Sequence, residues 1–130
     1  HAFCVLLERV RPLWQDEGVP PLEARRAVVA AYAAELRALG PANFLYADGD
    51  ALFAHADRRH QADGTIRPPG LWRLARHCPH GGELASDGLQ IEAHGAEQDV
   101  QLFASVPLTA EGWLPMEAGE LAVARAGCPV

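Results

Sequence analysis

Asn43-Phe44-Leu45-Tyr46-Ala47-Asp48-Gly49-Asp50-Ala51-Leu52-Phe53-Ala54-His55 sets two short apolar runs on either side of an Asp-Gly pair. Such a pair signals a β-hairpin, because a two-residue type I′ turn needs positive φ at both central positions. With Asp48 and Gly49 at those positions, Ala47 faces Asp50, Tyr46 faces Ala51, Leu45 faces Leu52 and Phe44 faces Phe53. Side chains alternate between the faces of a strand. The Leu pair then lies on one face and the Phe pair on the other, so both faces are apolar. A hairpin wetted on one side would alternate cleanly between apolar and polar residues. The pattern predicts a hairpin within a sheet, covered by helices on one face and by another layer on the other.

Upstream of the hairpin, Phe3, Leu6, Leu7, Val10, Leu13 and Trp14 recur at helical spacing. Pro12 cannot donate to the helical ladder, so this helix is expected over residues 2–10, ending or kinking near Val10. Pro21 suits the first turn of a second helix, expected over residues 22–39, with Leu22, Val29, Tyr32, Leu36 and Leu39 as its stripe. Gly40-Pro41 stops it. Both stripes read as core packing. Leu45, Leu52, Phe44, Phe53, Leu36 and Val29 are expected to be almost fully buried, with Leu52→Ala costing about 2–5 kcal/mol.

Downstream, Asp57-Arg58-Arg59-His60 leads into Gln61–Gly70, read as a polar surface excursion or binding loop closed by Pro68-Pro69-Gly70. Strands are expected at Leu71–His77 with Arg73 outward, at Leu89–Ala93 after an Asp87-Gly88 turn, at Val100–Ser105, and at Leu121–Arg125. Cys78–Gly82 is a turn-rich link, and Trp113–Met116 precedes a turn at Ala118-Gly119. Two helices followed by five or six strands give the α+β class with a mainly antiparallel sheet.

The 130 residues are most simply one domain, long enough to bury a core. A hydrophobic fraction of 49% and a charged fraction of 22% are those of a globular chain. The net charge of −6 supplies no basic stripe, which argues against nucleic acid or an anionic membrane as partner. No apolar run reaches membrane-span length. All 11 basic residues are Arg, which we read as codon bias from a GC-rich genome. Cys4, Cys78 and Cys128 are odd in number and widely spaced, as reduced thiols of a cytoplasmic protein would be. The chain opens at His1 directly in a helical pattern without a cap, as a piece of something longer would.

Few residues suggest chemistry. His77-Cys78-Pro79-His80, with His55, His60 and Cys4 as additions, has one pair at zinc-ligand spacing but no second paired cluster. It reads as a strand-end turn, with a zinc site as the competing reading. Cys4, beside the first stripe, reads as a buried structural thiol rather than a nucleophile. Arg58 and Arg59 read as a solvated pair rather than an anion site. Asp48 and Asp50 serve the turn, and with Asp57 form no spaced acid pair. There is no phosphate loop, nucleophile elbow or complete triad. On the residues alone the chain offers no catalytic residue, no metal ligand and no cofactor.

Several stretches together resemble a family. They are His1-Ala2-Phe3-Cys4-Val5-Leu6-Leu7; Ala34-Glu35-Leu36-Arg37 running into Asn43-Phe44-Leu45-Tyr46-Ala47-Asp48-Gly49; Ala104-Ser105-Val106-Pro107-Leu108-Thr109; and Trp113-Leu114-Pro115 with Gly119-Glu120-Leu121. In this order and spacing they resemble the C-terminal half of class II glutamine amidotransferases, in the small bacterial branch related to γ-glutamyl hydrolases. The resemblance spans essentially the whole chain. It implies the N-terminal-nucleophile hydrolase fold, a four-layer αββα sandwich of two antiparallel sheets between helices. It also implies a Cys nucleophile at the mature N-terminus with its α-amino group as base, an Asn-Gly segment for the oxyanion, and an Arg and an Asp for the substrate's carboxylate and amine. In the family that Asp belongs to a Thr-Asp-Ser-Glu-like motif just before the helix opening Ala-Phe-Cys, here Ala2-Phe3-Cys4. All of these residues would lie upstream of His1, and no position of this chain matches one. The Gln61–Gly70 loop and His77-Cys78-Pro79-His80 depart from the pattern and read as local to this subgroup.

Two functional expectations follow. The first is the C-terminal part of an enzyme that hydrolyses glutamine or a γ-glutamyl amide through a thioester. Its partners would be that substrate and the missing N-terminal half, with homo-oligomerisation left open. The second is a non-catalytic binding or zinc-binding module on the same half-fold.

Overall fold

The computed structural model describes residues 2–15, 17–80, 82–86, 89–94 and 97–130. His1, Gly81 and the Asp87-Gly88 turn signal lie outside them. Helix α1 runs Ala2–Val10 and tightens into a 3₁₀ turn, Arg11–Trp14, with Pro12 in its first turn. Helix α2 runs Leu22–Leu39. The Pro21 carbonyl accepts its first backbone bonds, from Ala24 and Arg25, and the Gly40 N–H donates to Leu36 at its end. Both helices match the expected ranges. Their stripes are less fully used, because Leu6, Val10, Val29 and Tyr32 are buried while Phe3 is exposed and Leu39 is 87% exposed.

The hairpin is present as β1 (Phe44–Ala47) and β2 (Leu52–His55). Its register differs from the expected one by two residues: Ala47 pairs with Leu52, Tyr46 with Phe53, Leu45 with Ala54 and Phe44 with His55. Asp48 is the reason. Its Oδ1 accepts the N–H groups of Asp50 (3.1 Å) and Ala51 (2.9 Å), and its own N–H donates to the Ala51 carbonyl. The side chain thus builds an Asx-type loop over residues 48–51 in place of the two-residue turn. Gly49 keeps a positive φ of 93°. A slip of two leaves every side chain on its expected face, where a slip of one would have inverted them all.

The remaining strands are β3 (Arg59–His60), β4 (Ile66–Arg67), β5 (Trp72–Cys78), β6 (Gly82–Ser86), β7 (Leu89–Ala93), β8 (Gln98–Ala104), β9 (Leu114–Pro115), β10 (Leu121–Arg125) and β11 (Cys128–Pro129). They exceed the expected five or six because several are two-residue pieces. One antiparallel sheet has the order β1-β2-β10-β11 and a second the order β8-β5-β9, while β3-β4 and β6-β7 are separate ribbons. The expected Gln61–Gly70 loop contains one short strand, β4, which folds back to pair with β3 just before the loop. Asp63 organises its tip, accepting from the Thr65 hydroxyl and N–H, and these bonds with Arg67 hold its pKa at about 2.

Three layers result. Phe53, Tyr46 and Val123 meet Leu6, Val10, Val29 and Tyr32 beneath the helices. On the opposite face of the sheet, Ala54 and Ala56 meet Leu71 and Met116, with Phe103 packed against them. Leu74 and Trp113 form a further cluster with Trp72, Leu102 and Leu108. Of the expected core, Phe53 and Val29 are sealed; Phe44, Leu36 and Leu52 are only partly covered, and Leu45 is 51% exposed. β1 is an end strand, so its outer residues lack a neighbour, and small Ala residues make the contact between sheets. Leu52→Ala should therefore fall below the 2–5 kcal/mol range of a sealed Leu.

A type I′ turn does occur, at Ala126 (φ 49°) and Gly127 (φ 78°) between paired Arg125 and Cys128. A Cβ on Gly127 would run into the Asp99 carbonyl of β8. Gly127→Ala combines left-handed strain with this backbone clash, and thermal unfolding should show a loss of about 2 kcal/mol or more. Gly112→Ala, with open space at its Cβ and no positive φ, is the matched control.

Candidate functional site

Strand alternation separates the most suggestive motif. His77 is half exposed at the end of β5, with Nδ1 2.9 Å from Asp99 Oδ1 and Nε2 3.5 Å from Glu97. Cys78 points to the opposite face and is buried. His80 is exposed beyond the strand, and His55 is buried on the first sheet. Among the described residues no three His, Cys, Asp or Glu side chains are grouped to hold a metal ion. Cys4 is exposed rather than buried, a correction with a simple cause. Leu6 and Val10 define the inward face of α1, and Cys4, two residues before Leu6, points elsewhere.

The strongest electrostatic feature is one that periodicity does not show. Arg25, 2% exposed, extends from α2 under the hairpin loop. Its Nη1 donates to Asp48 Oδ2 and its Nη2 to Asp50 Oδ2, each at 2.7 Å. Arg125 closes the network from β10, with Nε 3.0 Å and Nη2 2.8 Å from Asp50 Oδ1. Burial alone would pull the Arg25 pKa down, but the bonds to Asp48 and then Asp50 outweigh it and the pKa is raised. The Arg25 hydrogen bond is also the main cause of a lowered Asp50 pKa. The network pins α2 to the hairpin loop, and every charge in it is spent on that.

A second buried polar cluster lies at the other end of β2. Asp57 is fully buried, with Oδ1 3.2 Å from Arg37 Nε and Oδ2 3.6 Å from Arg58 Nε. Arg58 is exposed, as a solvated residue would be, and lies within ion-pair range of that carboxylate without a hydrogen bond to it, while Arg59 donates to the His60 carbonyl. The Asp57 N–H donates to Asn43 Oδ1 at 2.7 Å, and Asn43 Nδ2 donates to the Arg58 carbonyl. His55 Nδ1 lies 3.2 Å from the Glu120 carbonyl, the geometry of an N–H donor, which leaves Nε2 as the unprotonated nitrogen. Burial pushes the His55 pKa below its ordinary 6.5, with Arg37 reinforcing and the Glu120 carbonyl and Asp57 opposing. Below pH 6.5 the unfolded chain therefore binds a proton here that the folded chain refuses. Stability from this group is full above 6.5 and falls as pH drops towards the folded value. His77 has the opposite sign, because Asp99 raises its pKa, so its contribution fades as pH rises through that value. In melting curves between about pH 5 and 7, His55→Gln should flatten the acid-side decline and His77→Gln should steepen it.

The thiols are poorly placed for nucleophilic work. Cys128 Sγ lies 3.6 Å from Asp99 Oδ2, and His77 sits on the other oxygen of that carboxylate. A carboxylate thus stands between thiol and imidazole, where an activated Cys needs the imidazole next to sulfur. Desolvation and then Asp99 push the Cys128 pKa up, away from the reactive thiolate.

The family model for class II glutamine amidotransferases matches residues 1–130. The chain belongs to that family. A crystal structure of a predicted glutamine amidotransferase from Pseudomonas aeruginosa PA01 is 27% identical and superposes with a TM-score of 0.73. The match covers 99% of this chain and 48% of that one, so the chain spans about half the length of that relative. No curated protein matches. In this family member the motif residues are structural ties. Asn43 joins β1 to the segment after β2, and Asp48 builds the hairpin loop. Thr109 accepts from Trp113 Nε1 and donates to Glu111. The Glu120 side chain accepts from Arg73 at 2.7 Å. Gly119 leaves room for the Arg37 guanidinium, which a Cβ there would strike.

Proposed function

We propose that these residues form the C-terminal part of an enzyme that hydrolyses glutamine or a γ-glutamyl amide through a Cys thioester. The nucleophile, its base and the oxyanion donors would come from polypeptide outside residues 1–130. The observation that carries this reading is the family match along the whole chain, aligned with only 48% of a longer relative. The placement of Cys4, Cys78 and Cys128 supports it, since none has an imidazole beside its sulfur among the contacts of the described residues. In the proposed reaction a thiolate adds to the γ-carbonyl, and the oxyanion is held by hydrogen-bond donors. The intermediate expels ammonia from glutamine, or the amine from an N-substituted γ-glutamyl amide, protonated by the base, and water then cleaves the thioester to the free acid and thiol. The role of this half is the rigid sheet and helix frame against which that assembly is held, with a cytoplasmic setting for the free thiols.

The test is turnover plus labelling of the complete protein. Ammonia release from glutamine, or amine release from an N-substituted γ-glutamyl amide, is expected, with a thiol-directed electrophilic glutamine analogue labelling a Cys outside residues 1–130. Label on Cys4, Cys78 or Cys128, or no turnover of any γ-glutamyl amide, would overturn the proposal. Absence of turnover together with about one bound zinc per chain would favour a binding module instead.

A further inference from the structure

Two ribbons stand apart from the two sheets, and each sets like charges face to face. In β3-β4, Arg59 pairs directly with Arg67. In β6-β7, Glu83 pairs directly with Glu92. Like charges directly opposite each other destabilise an antiparallel pair, so neither arrangement helps its own ribbon. Neither pair is fully neutralised by its surroundings. Arg67 Nη2 lies 3.2 Å from Asp63 Oδ2, with both side chains more than half exposed. Arg59 donates to the His60 carbonyl, and no carboxylate pairs with it among the described residues. On the acidic ribbon, Gln90 Nε2 bridges Glu83 Oε1 (3.1 Å) and Glu92 Oε1 (2.9 Å). That amide holds the two carboxylates side by side without cancelling their charge. His94 Nε2 is 3.0 Å from Glu92, but an imidazole is mostly neutral at pH 7. The sequence sharpens the contrast. Every Arg except Arg125 lies at position 76 or earlier, whereas Glu83, Glu92, Glu97 and Asp99 follow with no Arg or Lys between them.

We propose that the chain self-associates through these ribbons, the Glu83-Glu92 pair of one copy seated against the Arg59-Arg67 pair of another. A second copy is the favoured occupant because one chain carries both signs as matched pairs. Both pairs are directly opposed across an antiparallel ribbon, so each presents its two charges from Cβ atoms about 5 Å apart. A two-fold axis between two copies makes the contact twice and closes the assembly as a dimer. The net charge of −6 opposes approach at long range. At physiological salt the screening length is about 8 Å, so charges touching across the ribbons outweigh distant like charges. The contact stands apart from the enzymatic reading, and its test uses no turnover.

Sedimentation equilibrium of the complete protein with paired charge reversals tests it. The parent should dimerise, and its dissociation constant should rise about 10-fold or more as NaCl is raised from about 50 to about 500 mM. Arg59→Glu with Arg67→Glu makes both ribbons acidic. Glu83→Arg with Glu92→Arg makes both basic. Each variant alone should be monomeric where the parent is dimeric, and an equal mixture of the two should form the mixed dimer. A parent that stays monomeric overturns the proposal. So does a mixture of folded variants that fails to associate. Association that survives high salt and both reversals overturns it too, because apolar surface is then the cause. Thermal melting checks that each variant folds. If a double reversal unfolds the protein, Arg67→Gln and Glu92→Gln each remove one charge from a ribbon. Each should raise the dissociation constant about 3-fold or more, and unchanged constants would overturn the proposal.

Discussion

Replacing Arg25 by Ala should lower stability by about 3–5 kcal/mol, the cost of stripping the partner from a buried charge. The side chains of Arg25, Asp48 and Asp50 are 2%, 3% and 17% exposed. Once the guanidinium is gone, Asp48 Oδ2 loses its donor, and among the described residues Asp50 keeps Arg125 at its outer oxygen. The penalty is that of a stranded carboxylate rather than the worth of the ion pair, because two well-solvated charges gain little by meeting. Two further variants separate these terms. Arg25→Met keeps an apolar stem of similar length and removes the guanidinium, whose Cζ lies 5.9 Å from the Trp14 ring centroid, so it separates the charged head from the stem. Adding Asp48→Asn to Arg25→Met should recover part of the loss, giving a double-mutant cycle well short of additive. Asn retains an oxygen for the Asp50 and Ala51 N–H groups, so the loop survives the change. Urea unfolding of the four proteins measures the cycle. A loss below about 0.5 kcal/mol for Arg25→Ala, as at a surface position, would show the network to be solvated.

The same network marks the boundary between what is legible in the sequence and what is not. Helix ends are local, since Pro12, Pro21 and Gly40-Pro41 act on their immediate neighbours, and α1 and α2 end where those residues place them. The faces of the hairpin are local too, because alternation survives the two-residue slip. The slip itself is not. An Asp-Gly pair favours the short turn, but Asp48 and Asp50 answer to an Arg 23 and 25 residues upstream in another element. The short turn formed instead at Ala126-Gly127, where close approach to Asp99 demands Gly at the second position. Sequence shows an Arg on the inward side of α2 only to a reader who asks what would neutralise it. Burial at Leu45 was overestimated for a related reason: pattern reveals an apolar face, and only topology reveals that its strand stands at an edge. The candidate site was less legible still. His77 has its partner in Asp99 of β8, whose other oxygen takes Cys128 of β11, rather than in its own motif. The family resemblance read further than any of these, because its motif residues are the ties that shape the fold.

A preparation of residues 1–130 alone should release no ammonia from glutamine above the buffer background. Thioester chemistry needs a nucleophile, a base and oxyanion donors within hydrogen-bond reach of one another. Loss of one member of such a set costs on the order of 10⁴ in rate, and here the proposal places the whole set elsewhere. The thiols present do not substitute for it. Cys4 is exposed on a helix, Cys78 is sealed on the inner face of β5, and Cys128 has a carboxylate where an imidazole would be needed. Adding the remaining part of the protein, in one chain or as a separate polypeptide, should restore turnover. In that complete protein Cys4→Ser and Cys128→Ser should leave kcat/KM within about 2-fold, since neither thiol is asked to touch substrate. The same preparation of residues 1–130 should also associate as its concentration rises, because the β1 edge and the exposed Phe3, Leu7 and Leu45 would lie open. Sedimentation with and without the remaining part measures that. Ammonia release by residues 1–130, abolished by a single Cys→Ala change at position 4, 78 or 128, would place the nucleophile inside this chain and remove the basis for dividing the site from its frame.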